Sequence, residues 1–163
     1  MDTDTTHNDQ LQTVTDIMRS TRIAALSYIS TGGDLVSTPM GTQDFAEPGT
    51  VWFITERATD KVEAISADPR VNVHYAGKGG WVSLAGTARF IQDDAKLREL
   101  WDASAGAFME GDPEDPGNGL LEVTATSAEY WDSPGGIATA VQLVKGLVGD
   151  ERPDLGDSGV VPL

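Results

Sequence analysis

A chain of 163 residues suits one domain with a substantial core, because a domain of that size buries most of its apolar surface on folding. Its 11 Lys and Arg against 26 Asp and Glu give a formal charge of -15, which repels nucleic-acid backbones and anionic membrane surfaces alike. The absence of cysteine excludes disulfides, thiolate nucleophiles, iron–sulfur clusters and cysteine-ligated zinc, and only His7 and His74 remain as imidazoles.

The first residues are polar and rich in Thr and Asp, so His7 reads as part of a flexible tail over 1–9. No basic region leads into an apolar run, and no apolar run approaches the roughly 20 residues that cross a bilayer; the expectation is a cytoplasmic protein. Leu11, Val14, Ile17 and Met18 recur at spacings of three and four, the stripe of a short helix that caps a barrel end. Residues 22–30 are apolar and free of Pro and Gly, Thr31-Gly32-Gly33-Asp34 supplies turn chemistry, and 35–42 completes a hairpin. Glu47-Pro48-Gly49 makes another turn before Val51-Trp52-Phe53-Ile54-Thr55, which has the composition of a buried strand.

The pattern turns helical over 59–67, with Val62 and Ile65 on one side, Thr59 or Asp60 as N-cap, and Pro69 as the stop. Strands over 71–76 and 81–91 follow across Gly77-Lys78-Gly79-Gly80, with His74 at a strand position. A helix over 93–108 carries Leu97, Leu100 and Trp101, and the loop from Gly111 to Gly117 lacks the ordered ligand spacing of a calcium site, so no metal is expected. Residues 120–131 form a last long strand, and 138–148 a closing helix on Val141, Leu143, Val144 and Leu147. The domain is thus expected over 10–148, with a polar, proline-bearing tail over 149–163. Many strands with few helices point to a barrel.

Chemistry concentrates where Phe53-Ile54-Thr55-Glu56-Arg57-Ala58-Thr59-Asp60-Lys61 carries a strand into a helix start. The orphan N–H groups of that start, the helix dipole, a hydroxyl and a lysine suit a phosphate group. The same residues also fit a plain capped helix with a solvated lysine in its first turn. Trp52, Trp81, Trp101 and Trp131 read equally as core, interface or cofactor contacts.

The order of segments resembles the general stress protein branch of the pyridoxamine 5'-phosphate oxidase-like flavoproteins. The resemblance is carried by Ser37-Thr38-Pro39-Met40, Trp52-Phe53-Ile54-Thr55 through Lys61, Asp68-Pro69-Arg70-Val71-Asn72-Val73 and Val82-Ser83-Leu84-Ala85-Gly86-Thr87-Ala88. Leu100-Trp101, Asp115-Pro116 and Ala128-Glu129-Tyr130-Trp131-Asp132 continue it, so that it spans the first helix to the closing one. It implies a mainly β fold with short α-helices, a six-stranded antiparallel split β-barrel of the FMN-binding type. It also implies a homodimer holding one FMN in each of two clefts between subunits. Thr38, Pro39 and Met40 would then pass along the flavin ring, Ile54 and Thr55 would contact ring or ribityl groups, and Thr59 and Lys61 would meet the phosphate. Trp81 and Ser83 would line the neighbouring strand, and Trp131 would reach the flavin across the dimer.

Two departures bear on that implication. Thr38 stands where relatives commonly carry an arginine, and Asp60 where the oxidases carry one beside the phosphate-binding lysine. Each exchange removes a fixed cation, and Asp60 repels a phosphate dianion. The segment Ser133-Pro134-Gly135-Gly136-Ile137-Ala138 also lacks the arginine and histidine with which true oxidases hold pyridoxal phosphate, so that activity is not expected. The readings are a flavin-dependent oxidoreductase drawing on reduced nicotinamide, a flavin-binding stress-response module without turnover, or a split barrel that uses deazaflavin. Haem is disfavoured, because His74 would be its one well-placed axial ligand.

Overall fold

A computed structural model of the chain describes residues 2–132 and 156–163. The elements run α1 (Asp2–Arg19), β1 (Ile23–Ile29), β2 (Leu35–Gly41), β3 (Thr50–Glu56), α2 (Asp60–Ala67), β4 (Arg70–Gly77) and β5 (Gly80–Ile91). They continue through α3 (Asp94–Leu100), α4 (Ala103–Phe108), β6 (Asn118–Asp132) and β7 (Ser158–Pro162). All strand pairings are antiparallel, in the order β2-β1-β4-β5-β6-β3 with β7 also on β6. β2 and β3 end that order without pairing, so the barrel stays split between them, as expected for this fold.

Alternation builds the core. Ala24, Leu26 and Tyr28 of β1, Val71, Val73 and Tyr75 of β4, and Val82 and Leu84 of β5 are buried at every second position, as the two-residue side-chain period requires. Val14, Ile17 and Met18 of α1 close one end against them. A smaller cluster of Leu97, Leu100 and Leu120 packs α3 against β6. The end of α1 crosses Gly77, where a Cβ would come within 2.5 Å of the Ser20 hydroxyl oxygen and 3.2 Å of the Ile17 carbonyl oxygen. The register shifts between Ala85 and Gly86 of β5, where Thr126 of β6 is the extra residue, and a Cβ on Gly86 would lie 2.1 Å from the Thr124 carbonyl oxygen.

Three expectations are corrected. The helix begins at Asp2, without the flexible tail expected over 1–9: no Gly or Pro interrupts that stretch, and acidic residues suit a helix N-terminus. The helix expected over 93–108 is two helices, because Asp102 turns its carboxylate onto the Ala105 N–H at 2.8 Å and starts a new helix after an extended Trp101. The end of the tail expected over 149–163 is a seventh strand, with Val161 fully buried. β3 covers one edge of the long β6 only as far as Thr124, and β7 covers the same edge over Ser127 to Trp131, where backbone groups would otherwise go unpaired. The helix expected over 138–148 lies outside the described residues.

Candidate functional site

Where β2 and β3 part, the ends of both strands open onto a cavity of about 690 Å³. That size lies within the ~300–1,000 Å³ of small-molecule pockets. Pro39 and Met40 come from the end of β2 and Thr42 from just after it, Ile54 and Thr55 from β3, Thr59 and Lys61 from the start of α2, and Phe108 and Met109 from the end of α4. Six of the ten residues expected in a cofactor site therefore meet here: Pro39, Met40, Ile54, Thr55, Thr59 and Lys61.

Thr59 is the N-cap of α2. Its hydroxyl accepts from the Val62 N–H at 3.3 Å and donates to the Glu56 carbonyl at 3.2 Å, so the capping role is the one its side chain fills. The Asp60 and Lys61 N–H groups, first in the helix, fall outside its own hydrogen-bond ladder and add to the positive end of the dipole. The Lys61 ammonium is half-buried and makes no ion pair among the described residues; the Met40 sulfur, 3.4 Å away, is its hydrogen-bond partner. Burial holds its pKa below the ordinary lysine value, and the neighbouring Glu56 carboxylate opposes that shift. A cation held this way, in a chain so acidic, favours an anionic ligand.

The remaining four expected residues stand elsewhere in this chain. Thr38 is half-buried, its hydroxyl 3.4 Å from that of Tyr28, and it borders a smaller hollow of about 260 Å³ shared with His74. Ser83 accepts from the Asn72 amide at 2.7 Å. Trp81 and Trp131 face each other across β5 and β6 on the outer side of the sheet, 45% and 38% exposed.

Arg22, Gln43, Asp102, Ser104 and the Phe108-Met109 pair also line the cavity and were missed by the sequence reading. A signal for α4 existed in Asp102-Ala103-Ser104-Ala105, where an N-cap residue follows the apolar stripe. Arg22 offered none. The loop after α4 is tied down by the buried Asn118, whose amide donates to the Glu110 and Asp112 carbonyls at 2.7 and 3.0 Å.

A family model described as pyridoxamine 5'-phosphate oxidase like matches residues 9–154. The chain belongs to that family. Among similar solved structures of this fold is one described as a general stress protein 26 from Jannaschia sp. CCS1, 29% identical, covering 96% of this chain and 99% of that one, with a TM-score of 0.76. The general stress FMN/FAD binding protein of Xanthomonas citri is 26% identical over 78% of this chain and 92% of its own, with a TM-score of 0.68. Protein bli-3 of Neurospora crassa is 23% identical over 142 residues, 80% of this chain and 68% of that protein. The split barrel is the family's fold, and no helix among the described residues is long and apolar enough to cross a membrane.

Proposed function

We propose that the cleft between β2 and β3 binds FMN and that the protein is a flavin-dependent oxidoreductase of the general stress type, working as a cytoplasmic homodimer. The observation that carries this reading is the gathering of Lys61, the Thr59 start of α2 and Thr55 in one cavity with the apolar Pro39, Met40 and Ile54. A flavin combines a phosphate, a polyol and a flat apolar ring, and the cleft offers a matching group for each. The Lys61 ammonium and the α2 amides would hold the phosphate, as helix N-termini hold anions. Thr55, 4% exposed, would donate to the ribityl chain, and the backbone of β2 would run along the ring. The bound flavin would supply redox chemistry, while the protein groups orient it and limit access.

The homodimer is supported by the outer sheet face. Ala25, His74, Ser83, Glu129 and Val160 stand in one row across β1, β4, β5, β6 and β7, and the next row holds Ala76, Trp81, Trp131 and Ser158. Glu129 is the one carboxylate in these rows, in a chain of net charge -15. Two exposed tryptophans and a Val160 that is 64% exposed make this face suited to burial against a second copy, from which Trp131 would reach the partner's flavin.

The visible spectrum of freshly purified protein, with mass identification of the heat-released ligand, tests cofactor identity and separates FMN from deazaflavin. Bleaching by reduced nicotinamide with multiple turnovers on an acceptor supports the oxidoreductase. A bound flavin inert to reductant would make the protein a storage or sensing module instead.

A further inference from the structure

Arg22 and Phe108 line the same cavity as Lys61, and both are exposed, which puts them at its mouth. Arg22 lies one residue before β1, where the Thr42 N–H donates to its carbonyl at 3.0 Å and the Thr42 hydroxyl donates to the adjoining Thr21 carbonyl at 2.7 Å. The backbone of Arg22 is therefore tied down. Its guanidinium, unlike those of Arg70, Arg89 and Arg98, makes no ion pair among the described residues.

The strand period puts Arg22 on the face of Ala24 and Leu26, which is also the face of Met40 and Thr42. Lys61 meets that face at Met40, whereas Arg22 meets it at Thr42, a step of about 7 Å along the strand. The cleft thus carries two cationic side chains, rooted at different points along β2. No carboxylate pairs with either cation among the described residues. The acidic groups of the wall are otherwise engaged: Asp102 caps α4 through the Ala105 N–H at 2.8 Å, and Glu56 acts on Lys61. Phe108 adds an apolar ring that is 85% exposed at the same rim, the kind of surface that a flat ligand covers.

We propose that Arg22 and Phe108 form a subsite for a planar carboxylate bound beside the flavin, its acid on the guanidinium and its ring against Phe108. The subsite rests on the flavin reading of this cleft. Arginine fits the role because its fork of N–H donors matches a carboxylate bidentately. Arg22 and Phe108 then determine which small molecules the cleft accepts.

The test uses FMN-loaded protein titrated with benzoate and, separately, with benzamide, followed by the shift in the flavin's visible spectrum and by calorimetry. Benzoate should bind more tightly than benzamide. Arg22→Gln should weaken benzoate about tenfold or more while leaving benzamide and FMN affinity unchanged. Arg22→Lys should recover part of the loss, and Phe108→Ala should weaken both ligands. Equal binding of benzoate and benzamide by the unmodified protein, or unchanged benzoate binding in Arg22→Gln, overturns the subsite. FMN uptake without benzoate binding overturns the subsite alone, and failure to take up FMN overturns the flavin reading and the subsite together.

Discussion

The Lys61 ammonium lies 3.4 Å from the Met40 sulfur, so the start of α2 is joined to the end of β2 across the split in the barrel. A thioether is a weak acceptor and occupies one of three N–H donors, so the charge is positioned without being neutralised. In the proposed site that charge is the one a phosphate would meet, since neither Met40 nor Glu56 forms an ion pair with it.

Replacing Lys61 by Ala should therefore weaken FMN by about 1.5 to 3 kcal/mol, the loss of a charge-assisted contact. Riboflavin, which lacks the phosphate, should bind the variant and the parent alike. Fluorescence titration of both flavins is the measurement, and an unchanged FMN constant would remove Lys61 from the site.

The same lysine predicts a dependence on pH. Its pKa in the folded chain is lowered, so at alkaline pH the unfolded state holds more protons than the folded one. Stability of the flavin-free protein should rise with pH between the lowered folded value and the ordinary lysine value near 10.4. FMN affinity should fall over the same window as the ammonium loses its proton. Denaturant melts of the parent and of Lys61→Met locate the effect, and an identical alkaline slope in both would assign it elsewhere.

Asp60→Arg should move two quantities in opposite directions. A cation beside the phosphate site should tighten FMN by about 1 kcal/mol or more. Removing an acidic residue from the first turn of α2 should cost about 0.3–1 kcal/mol of stability through the helix dipole. Binding titration and thermal melts read the two effects separately; weaker FMN binding would mean that the phosphate lies away from position 60.

Trp131→Ala should weaken the proposed homodimer by about 2 kcal/mol, the loss of a large aromatic anchor from its interface. Sedimentation equilibrium measures that change, and flavin titration shows whether the ring also reaches the cofactor. A variant unaltered in both would leave Trp131 as an exposed partner of Trp81 with no further role.

Local signals carried most of the architecture. Val71, Val73 and Tyr75 declare a strand by alternation alone, and Thr59-Asp60 marks a helix start, because each pattern depends on residues within a few positions of one another. The break at Asp102 was harder to see, since the apolar stripe through Leu97, Leu100 and Trp101 suits one continuous helix until the Asp102 carboxylate takes the Ala105 N–H. β7 has a strand's composition in Val160 and Val161, but its place follows from the length of β6, whose edge β3 leaves uncovered beyond Thr124.

The amino-acid order alone established a cysteine-free acidic chain, the alternating strands, a helix start at Thr59 or Asp60 and the order of segments that marks the family. Folding was needed to bring Arg22 opposite Thr42, Lys61 against Met40, and Phe108 to the same rim. Those neighbours are separated by twenty or more residues along the chain, and no local period or cap relates them. Strand register and the unpaired gap between β2 and β3 bring them together, and both arise from burial of a core shared by the whole sheet.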